Sequence, residues 1–507
     1  MERRDFIRSS ALLAAVPFVG RGADAVEETR LRAGFARVDI TTTEGPVHDP
    51  VFAKALVLDD GAHRVALVSL DTICLGGGIG EIPDAFFPAL RERCRVCGID
   101  ELICGTTHSH TNYSMVCKAD ELQARVVKAV NQAVAALRPA KIGTGEAKDP
   151  TWAINRSLRL KDGSRWSVRQ AHPCPPDEKI DGLERFDDTV GVVRVDEADG
   201  KPLATLFFFG CHPLLGYASN AASANYPGVA ERIVREQTGG EAIFLQSCAG
   251  DVTEIDYKNY DRPKNCEGPG ISLGLAVLKA WRDIRPTDAV LNVFRKDVVF
   301  PRRTDIPERM EALRAERDRI VMEMDGCPLN FKAFLPLYMK YQVGGDFPLG
   351  YKYEYEHERE LGLTQLRDQD VINRRNIEKY LKNCERMERL SYIAAALGTY
   401  AWHEEFNRKS GKDTIDGEIA AVSFDDTVIL ALPVEPLTEI GCKVRELSKF
   451  RHTFISGYSN GYMHYGAPAA EYGNGRYETI ECFLGAGWEK TALSAVADVF
   501  SKLKSER

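Results

Sequence analysis

The sequence lacks a basic excess, and after its first 25 residues it lacks any apolar run of transmembrane length. A membrane-spanning helix needs about 20 consecutive apolar residues, so we expect no transmembrane anchor. The formal net charge is -8, from 66 Lys and Arg against 74 Asp and Glu. Because no basic stripe runs along the chain, the composition argues against a nucleic-acid partner.

Two familiar motifs are also missing. The glycine-rich segment 75–81, LGGGIGE, lacks the third glycine of G-x-G-x-x-G, and no Lys-Ser/Thr pair follows it. We interpret it as a turn rather than a phosphate-binding loop. The zinc-protease pattern H-E-x-x-H is absent, since His403-Glu404 has no second histidine at the required spacing. These absences argue against dinucleotide-binding, P-loop and zinc-protease classes.

The chain has 13 cysteines, an odd number scattered over its length. A small disulfide scaffold is therefore excluded. Cys94 and Cys97 form a C-x-x-C pair that no second pair answers. Buried thiols or a local disulfide are favoured over a zinc knuckle.

The first 25 residues have the layout of a cleaved export signal. Arg3 and Arg4 form a twin arginine, an apolar stretch covers residues 11–19, and Ala23 and Ala25 give an A-x-A end. This pattern predicts a twin-arginine signal peptide over residues 1–25. The expected protein is bacterial, exported after folding, and periplasmic or extracellular.

Short apolar runs alternate with helical patterns along the rest of the chain. Strands mixed with helices predict an α/β fold with a layered mixed-sheet core and flanking helices. From about residue 301 to 410 the sequence is charged and helical, which predicts a helical insertion in this core. The aromatic stretch 331–358 within it is interpreted as a packed insertion, with a lid or a partner surface as alternatives.

Polar residues recur where predicted strands end. His108, His212, the turn after Gln246 and Glu435 all occupy such positions. In α/β sheets, binding sites collect at the carboxyl ends of strands. The recurrence therefore predicts a functional site there, although each position alone carries little weight.

His108 and His110 form an H-x-H pair in the segment GTTHSHTN. If the chain stays extended, the two side chains share one face and can chelate a metal. The alternative is a pair of structural histidines bonded to the backbone. Spacing alone leaves both interpretations open.

Several segments together resemble the neutral/alkaline ceramidase family, in particular its N-terminal catalytic domain. The order along the chain carries the resemblance, which spans residues 33–478 and is weakest in the charged block. The segments are AGFARVDIT, TTHSHTN, INRS, FFFGCHP, NYPG, FLQSCAGDVTE, ALPVEPLTEIG, SGYSNGYMHY and RYE. The resemblance implies that residues 26–507 form a ceramidase-like zinc hydrolase domain.

The resemblance also implies residue roles. The family cleaves the N-acyl amide bond of ceramide with metal-activated water, so the implied substrate is a sphingolipid or another small or lipid-like amide. His110 would lie beside the metal without binding it. Arg156 and Tyr477 would orient or polarise the scissile amide, and Thr253 would occupy the position of the active-site serine. The implied Zn²⁺ ligands are His108, His212, Glu435 and Tyr465.

Departures from the family pattern keep two alternatives open. Thr253 replaces serine, Glu254-Ile255 replaces Pro-Asn, and Asn112 stands at a glycine position. Only 30 residues follow Tyr477, too few for the family's C-terminal β domain. The alternatives are a zinc hydrolase of another linkage, such as an ester, and a non-catalytic binding protein that retains the metal.

Overall fold

The computed structural model describes residues 30–42, 44–79, 82–112, 116–168, 175–216, 221–256, 261, 264–473 and 475–505. The predicted signal peptide lies outside these residues. The described strands are β1 (Arg32–Asp39), β2 (Phe52–Asp59), β3 (Arg64–Leu70), β4 (Glu101–Thr106), β5 (Arg138–Lys148), β6 (Ala153–Asn155), β7 (Ser157–Leu160), β8 (Arg165–Ser167), β9 (Ile180–Leu183), β10 (Thr189–Glu197), β11 (Pro202–Phe209), β12 (Glu241–Gln246), β13 (Val252–Glu254), β14 (Asn292–Pro301), β15 (Thr414–Phe424), β16 (Thr427–Ala431), β17 (Glu435–Pro436), β18 (His452–Ser456) and β19 (Tyr465–Gly466). The described helices are α1 (Phe86–Val96), α2 (Ala119–Ala135), α3 (Asn225–Thr238), α4 (Glu267–Asp283), α5 (Ile306–Met322), α6 (Phe331–Val343), α7 (Lys352–Glu360), α8 (Gln365–Ser410), α9 (Thr438–Leu447), α10 (Tyr477–Ile480) and α11 (Trp488–Ser505).

Two sheets form the centre of the described structure. The larger has eight strands in the order β12-β11-β10-β5-β1-β2-β3-β4, and the smaller has four in the order β14-β15-β16-β18. Both are mixed, because β3–β4, β11–β12 and β16–β18 are parallel and the other neighbours are antiparallel. The larger sheet curls until β3 meets β12, where Ser69 Oγ donates to the Phe244 carbonyl at 2.5 Å.

The two sheets pack face to face between outer layers of helices. In β2, Leu56 and Leu58 point into the core shared by the sheets, whereas Ala55 and Val57 point to the core under α1 and α2. This period of two is what a strand buried on both faces requires. Helices α3 and α4 cover β10–β12, and α9 and α11 cover the far face of the smaller sheet. The layered α/β prediction is confirmed.

The helical insertion joins two neighbouring strands. β14 and β15 pair antiparallel from Asn292↔Ser423 to Pro301↔Thr414, and α5–α8 lie between them in the chain. In its aromatic stretch, buried Phe334 and Tyr341 pack with Ile377 of α8. Part of the aromatic stretch therefore packs against α8, as the preferred interpretation expects, while Phe331, Tyr351 and Tyr353 are exposed.

Two smaller expectations are also met. Gly76, Gly77 and Gly78 all have positive φ, as a turn requires. Cys94 and Cys97 are free thiols, and Cys94 is buried, which agrees with the interpretation as buried thiols.

Among the described helices, none combines the length and apolar character needed to cross a bilayer.

Candidate metal centre and active site

Three buried side chains meet where strands of both sheets end. His108 follows β4, His212 follows β11, and Glu435 begins β17 shortly after β16. Nε2 of His108 lies 3.5 Å from Glu435 Oε2, and Nε2 of His212 lies 3.2 Å from the same oxygen. All three side chains are almost fully buried. Residues separated by more than 300 positions in sequence therefore form one cluster of metal-ligand type.

Backbone carbonyls fix the orientation of both imidazoles. Nδ1 of His108 lies 2.8 Å from the Ile73 carbonyl, and Nδ1 of His212 lies 2.5 Å from the Ala249 carbonyl. Since a carbonyl only accepts, each Nδ1 carries the proton, and each Nε2 keeps its lone pair for the shared centre. Histidine ligands of metals are held in this way.

His110 joins the cluster by a route that differs from the expected one. The chain is not extended, because His108 has φ 61° and His110 opens a short 3₁₀ turn. Even so, Nε2 of His110 lies 3.1 Å from Nε2 of His108. One ring nitrogen each of His108, His110 and His212 lie within 4.8 Å of one another. His110 is the exposed member of the three, whereas His108 and His212 are buried.

Tyrosine hydroxyls hold the Glu435 carboxylate. Tyr462 donates to Oε1, and Tyr458 Oη lies 3.5 Å from Oε2. Burial raises the pKa of Glu435, but His108, His212 and Tyr462 outweigh burial and lower it well below its usual value. Burial lowers the pKa of His108 to about 4 against the opposing effect of Glu435. At neutral pH the cluster holds an ionised carboxylate and a neutral His108, which are the forms that bind metals.

Tyr465 reaches the cluster through backbone pairing. It is the parallel partner of Glu435 in the β17–β19 ladder, and paired residues present their side chains on the same face. Its ring stacks with His212 at a centroid distance of 6.4 Å. Nη2 of Arg156 donates to Tyr465 Oη at 2.9 Å. The structure thus places this predicted ligand beside His212 and beside a buried cation.

Arg156 is buried and fixed on two sides. Nε donates to Glu478 at 2.8 Å, and Nη2 donates to the Gly250 carbonyl at 2.6 Å. Nη1 is buried and has no hydrogen-bond partner among the described residues. The guanidinium carbon lies 5.5 Å from the centre of the Tyr477 ring. An unsatisfied cationic donor is costly in a protein interior, and this Nη1 is free to donate to an acceptor.

The carboxylate of Glu478 balances this cation. Burial raises the pKa of Glu478, but Arg476, Arg156 and Ser167 lower it to about 2. Glu478 lies in the segment RYE that carried the sequence resemblance, but its role was not predicted. Its position next to Tyr477 in sequence was the available signal.

Thr253 lies in β13, whose backbone bridges His212 and pairs with β6 just before Arg156. Its hydroxyl is buried and lies 3.4 Å from Oε2 of Glu254. Glu254 accepts from the backbone N–H groups of Leu214 and Leu215. Burial raises the pKa of Glu254 to about 7. Sequence reasoning noted Glu254 only as a departure and missed this titratable carboxyl.

The backbone around the cluster is strained. His108, Tyr458, Asn460 and His464 all have φ between 54° and 61°, a left-handed conformation that non-glycine residues rarely adopt. Such residues persist where the surrounding structure enforces them, and they concentrate at functional sites.

Two pentapeptides, at 270–274 and 457–461, match G-x-S-x-G, the pattern that carries the nucleophile in many serine hydrolases. The hydrogen bonds of their serines are as follows. Ser272 donates to Asp149 at 2.9 Å from within α4. Ser459 shares a 2.7 Å hydrogen bond with Ser456 and donates to the Gly457 carbonyl. The Ser272 contact joins α4 to the segment after β5, and the Ser459 contacts lie within the turn that begins at the end of β18.

The described architecture is therefore a layered α/β fold with a histidine–carboxylate cluster at the strand ends. The fold is similar to that of neutral ceramidase from Pseudomonas aeruginosa, with a TM-score of 0.59 and 14% identity over 95% of this chain and 75% of that chain. A structure described as ceramidase complexed with C2 also gives a TM-score of 0.59, with 14% identity over 94% of this chain and 76% of that chain. Neither a family model nor a curated protein sequence matches the chain. The chain has a ceramidase-like fold, as the sequence resemblance predicted.

Proposed function

We propose that this protein is an exported zinc-dependent amidohydrolase that cleaves the N-acyl bond of a lipid-like amide. The observation that carries the proposal is the approach of the His108 and His212 Nε2 atoms to one carboxylate oxygen of Glu435. The ceramidase-like fold supports an acyl-amide substrate, because a solved structure of that fold is named for ceramidase activity.

The donor set fits zinc. Two imidazole nitrogens and a carboxylate oxygen are ordinary ligands of catalytic zinc, which keeps one position open. Nε2 of His212 is buried and has no hydrogen-bond partner among the described residues, as a nitrogen reserved for a metal would be. In the proposal Tyr465 supplies a fourth oxygen. Zinc bound there supplies a Lewis acid that polarises a carbonyl and brings the pKa of a coordinated water near 7.

The chain's own residues would then divide the work around the scissile amide. His110 is exposed, so it can accept a proton from water or return one to the leaving amine. The unpaired Nη1 of Arg156 would donate to the carbonyl oxygen as negative charge develops there. Tyr477, beside Arg156, would donate to the same oxygen or orient the amide.

Thr253 would assist as a hydrogen-bonding hydroxyl. Its extra methyl group makes it a poorer nucleophile than the serine of the family pattern, so the proposal assigns the attack to water. The water oxygen bonds to the acyl carbon, the C–N bond breaks, and the amine leaves with a proton. The products are a carboxylate and a free amine.

The location outside the cytoplasm is part of the proposal. It rests on the twin arginine at Arg3 and Arg4, the apolar stretch and the A-x-A end. The Tat route suits this proposal, because a protein exported after folding can acquire its metal before export.

The test is hydrolysis of a panel of N-acyl amides and matched esters by the zinc-loaded chain. The panel includes short-chain ceramide, an N-acylethanolamine and an N-acyl amino acid. We expect release of amine from at least one amide, loss of activity on chelation, and recovery on adding zinc. His108→Ala should lower the rate at least about 1000-fold, because the metal contributes several kcal/mol to the transition state.

The matched control is His357→Ala, which removes an exposed histidine of α7 and should leave the rate unchanged. Full amidase activity in His108→Ala would contradict the proposal. Cleavage of esters with all amides inert would assign the site to another linkage. Zinc binding without hydrolysis across the whole panel would favour the non-catalytic alternative.

A further inference from the structure

A second histidine–carboxylate cluster lies beside the first. His403 of α8, His464 before β19 and Glu481 after α10 each place one ligand-capable atom within 4.8 Å of the others. His403 and His464 are almost fully buried, and Glu481 is partly buried. Three separate segments of the chain converge here, one of them from the helical insertion.

His403 is the unusual member of this cluster. Both of its ring nitrogens are buried and have no hydrogen-bond partner among the described residues. Its ring lies against Phe483 at a centroid distance of 4.3 Å, so its surroundings are largely aromatic. Leaving a buried donor or acceptor unsatisfied costs about 1–3 kcal/mol, and native proteins rarely accept this cost without a purpose.

His464 is held as metal-binding histidines are held. Its Nε2 lies 2.7 Å from the Gly77 carbonyl, which assigns the proton to Nε2 and leaves Nδ1 with a lone pair. Its backbone has φ 60°, a strained conformation that fixes the direction of the side chain.

We propose that His403, His464 and Glu481 form a second binding site for a divalent transition metal of the zinc class. Two imidazoles and one carboxylate suit such ions, whereas Mg²⁺ and Ca²⁺ prefer all-oxygen sites. An ion there accepts a lone pair from His403 and so satisfies one of its two unpaired nitrogens. Nothing in this site depends on the proposed amidase activity.

The site would tie the insertion to the wall of the first cluster. Trp402 of α8 packs on the His464 ring at 5.2 Å, and His464 immediately precedes Tyr465. Two residues before His464, Tyr462 donates to Glu435. A metal bound by His403 and His464 would therefore hold α8 against the segment that supports the Glu435 carboxylate, which is a structural role.

The test measures zinc content of the folded chain by mass spectrometry, with Co²⁺ absorption as an independent probe. The His108→Ala variant empties the first site and isolates the second. We expect about two zinc ions per wild-type chain and about one in His108→Ala. Adding His403→Gln or Glu481→Gln to His108→Ala should abolish the remaining zinc and the rise in Tm that zinc produces.

The matched control is Glu404→Gln, an exposed neighbour on α8 that should retain both ions. Glu481→Gln hardly changes the shape of the side chain, so this variant should stay folded, which circular dichroism checks. It keeps the test valid if His403→Gln unfolds. Equal zinc content in the wild type and in His403→Gln, both measured in micromolar zinc, would overturn the proposal. If His108→Ala fails to lower the zinc content, the proposed first site fails, and the His403 and Glu481 variants still decide the second.

Discussion

At the residue scale, Glu254 makes stability depend on pH. Its carboxyl has a pKa of about 7 in the folded chain because burial raises it from 4.5. A raised folded-state pKa stabilises the fold fully below the unfolded value and loses that contribution as pH rises through the folded value. We therefore expect the free energy of unfolding to fall between pH 4.5 and about 7 on this account.

Glu254→Gln removes this titration and keeps an oxygen for the Leu214 and Leu215 N–H groups. The free energy of unfolding of the variant, relative to that of the wild type, should rise by on the order of 3 kcal/mol from pH 5 to pH 8. Urea unfolding at the two pH values measures the difference, and the exposed Glu311→Gln is the control. Parallel pH profiles for Glu254→Gln and the wild type would refute the assignment.

Arg156 gives a second prediction at this scale. Arg156→Lys keeps the positive charge beside Glu478 but loses the planar guanidinium. The hydrogen bonds to Gly250 and Tyr465 and the unpaired Nη1 donor are lost with it. We expect kcat to fall about 100- to 1000-fold with zinc content unchanged, because loss of one transition-state donor has that effect. The control is Arg159→Lys on β7, which is exposed. A change in KM alone would mean that Arg156 only binds the substrate.

Residue types were easier to anticipate than residue contacts. Polar side chains after apolar runs predicted a functional site at His108, His212 and Glu435, whereas their role as metal ligands was implied only by the family resemblance. Tyr462 and Glu254 were missed because their importance depends on burial and on partners far away in the chain. The H-x-H pattern correctly predicted that His110 lies near His108, but it assumed an extended strand. In the structure a strained turn joins the two residues.

At the element scale, the close packing of β4 against its neighbours sets the position of His108 in the first cluster. A Cβ at Gly105 would lie 2.5 Å from Ser459 Oγ and 3.0 Å from Leu245 Cδ2. Gly105 pairs with Ser459 in an isolated bridge, and it lies three residues before His108. The position of the strand end, and with it His108, requires a residue without a side chain here.

Gly105→Ala should therefore cost about 1–3 kcal/mol of stability, as overpacking of a core does. Adding Ser459→Ala removes the nearest atom and should recover part of the loss. Gly326→Ala is the matched control, because a Cβ there meets no atom within 4 Å. The measurement is chemical denaturation of Gly105→Ala, Ser459→Ala, the double variant and Gly326→Ala. No coupling between Gly105→Ala and Ser459→Ala would contradict this close contact.

Secondary structure was largely predictable at this scale, whereas pairing between strands distant in sequence was not. Strands β2 and β3 are nearly continuous apolar runs, α2 has apolar residues at helical spacing, and the helical block is a long charged stretch, so each is visible in the sequence. The curl that brings β3 to β12 depends on long-range packing, so no local pattern encodes it. The same reason hid the pairing of Glu435 with Tyr465.

At the scale of the whole molecule, the layers explain why distant residues share one site. Parallel pairs β3–β4, β11–β12 and β16–β18 direct several carboxyl ends to the same edge of the packed sheets. The insertion between β14 and β15 leaves their pairing intact and brings α8 to the same edge. The sequence predicted the layers and the insertion, but only the folded chain shows that both reach the site.

Zinc-edge anomalous diffraction from crystals of the zinc-loaded protein tests the central claim most directly. We expect a peak about 2.0–2.2 Å from Nε2 of His108, Nε2 of His212 and an oxygen of Glu435. Tyr465 should provide the next oxygen, and His110 should remain outside the coordination sphere. The absence of this peak, or a peak bound by His110 in place of His212, would contradict the account.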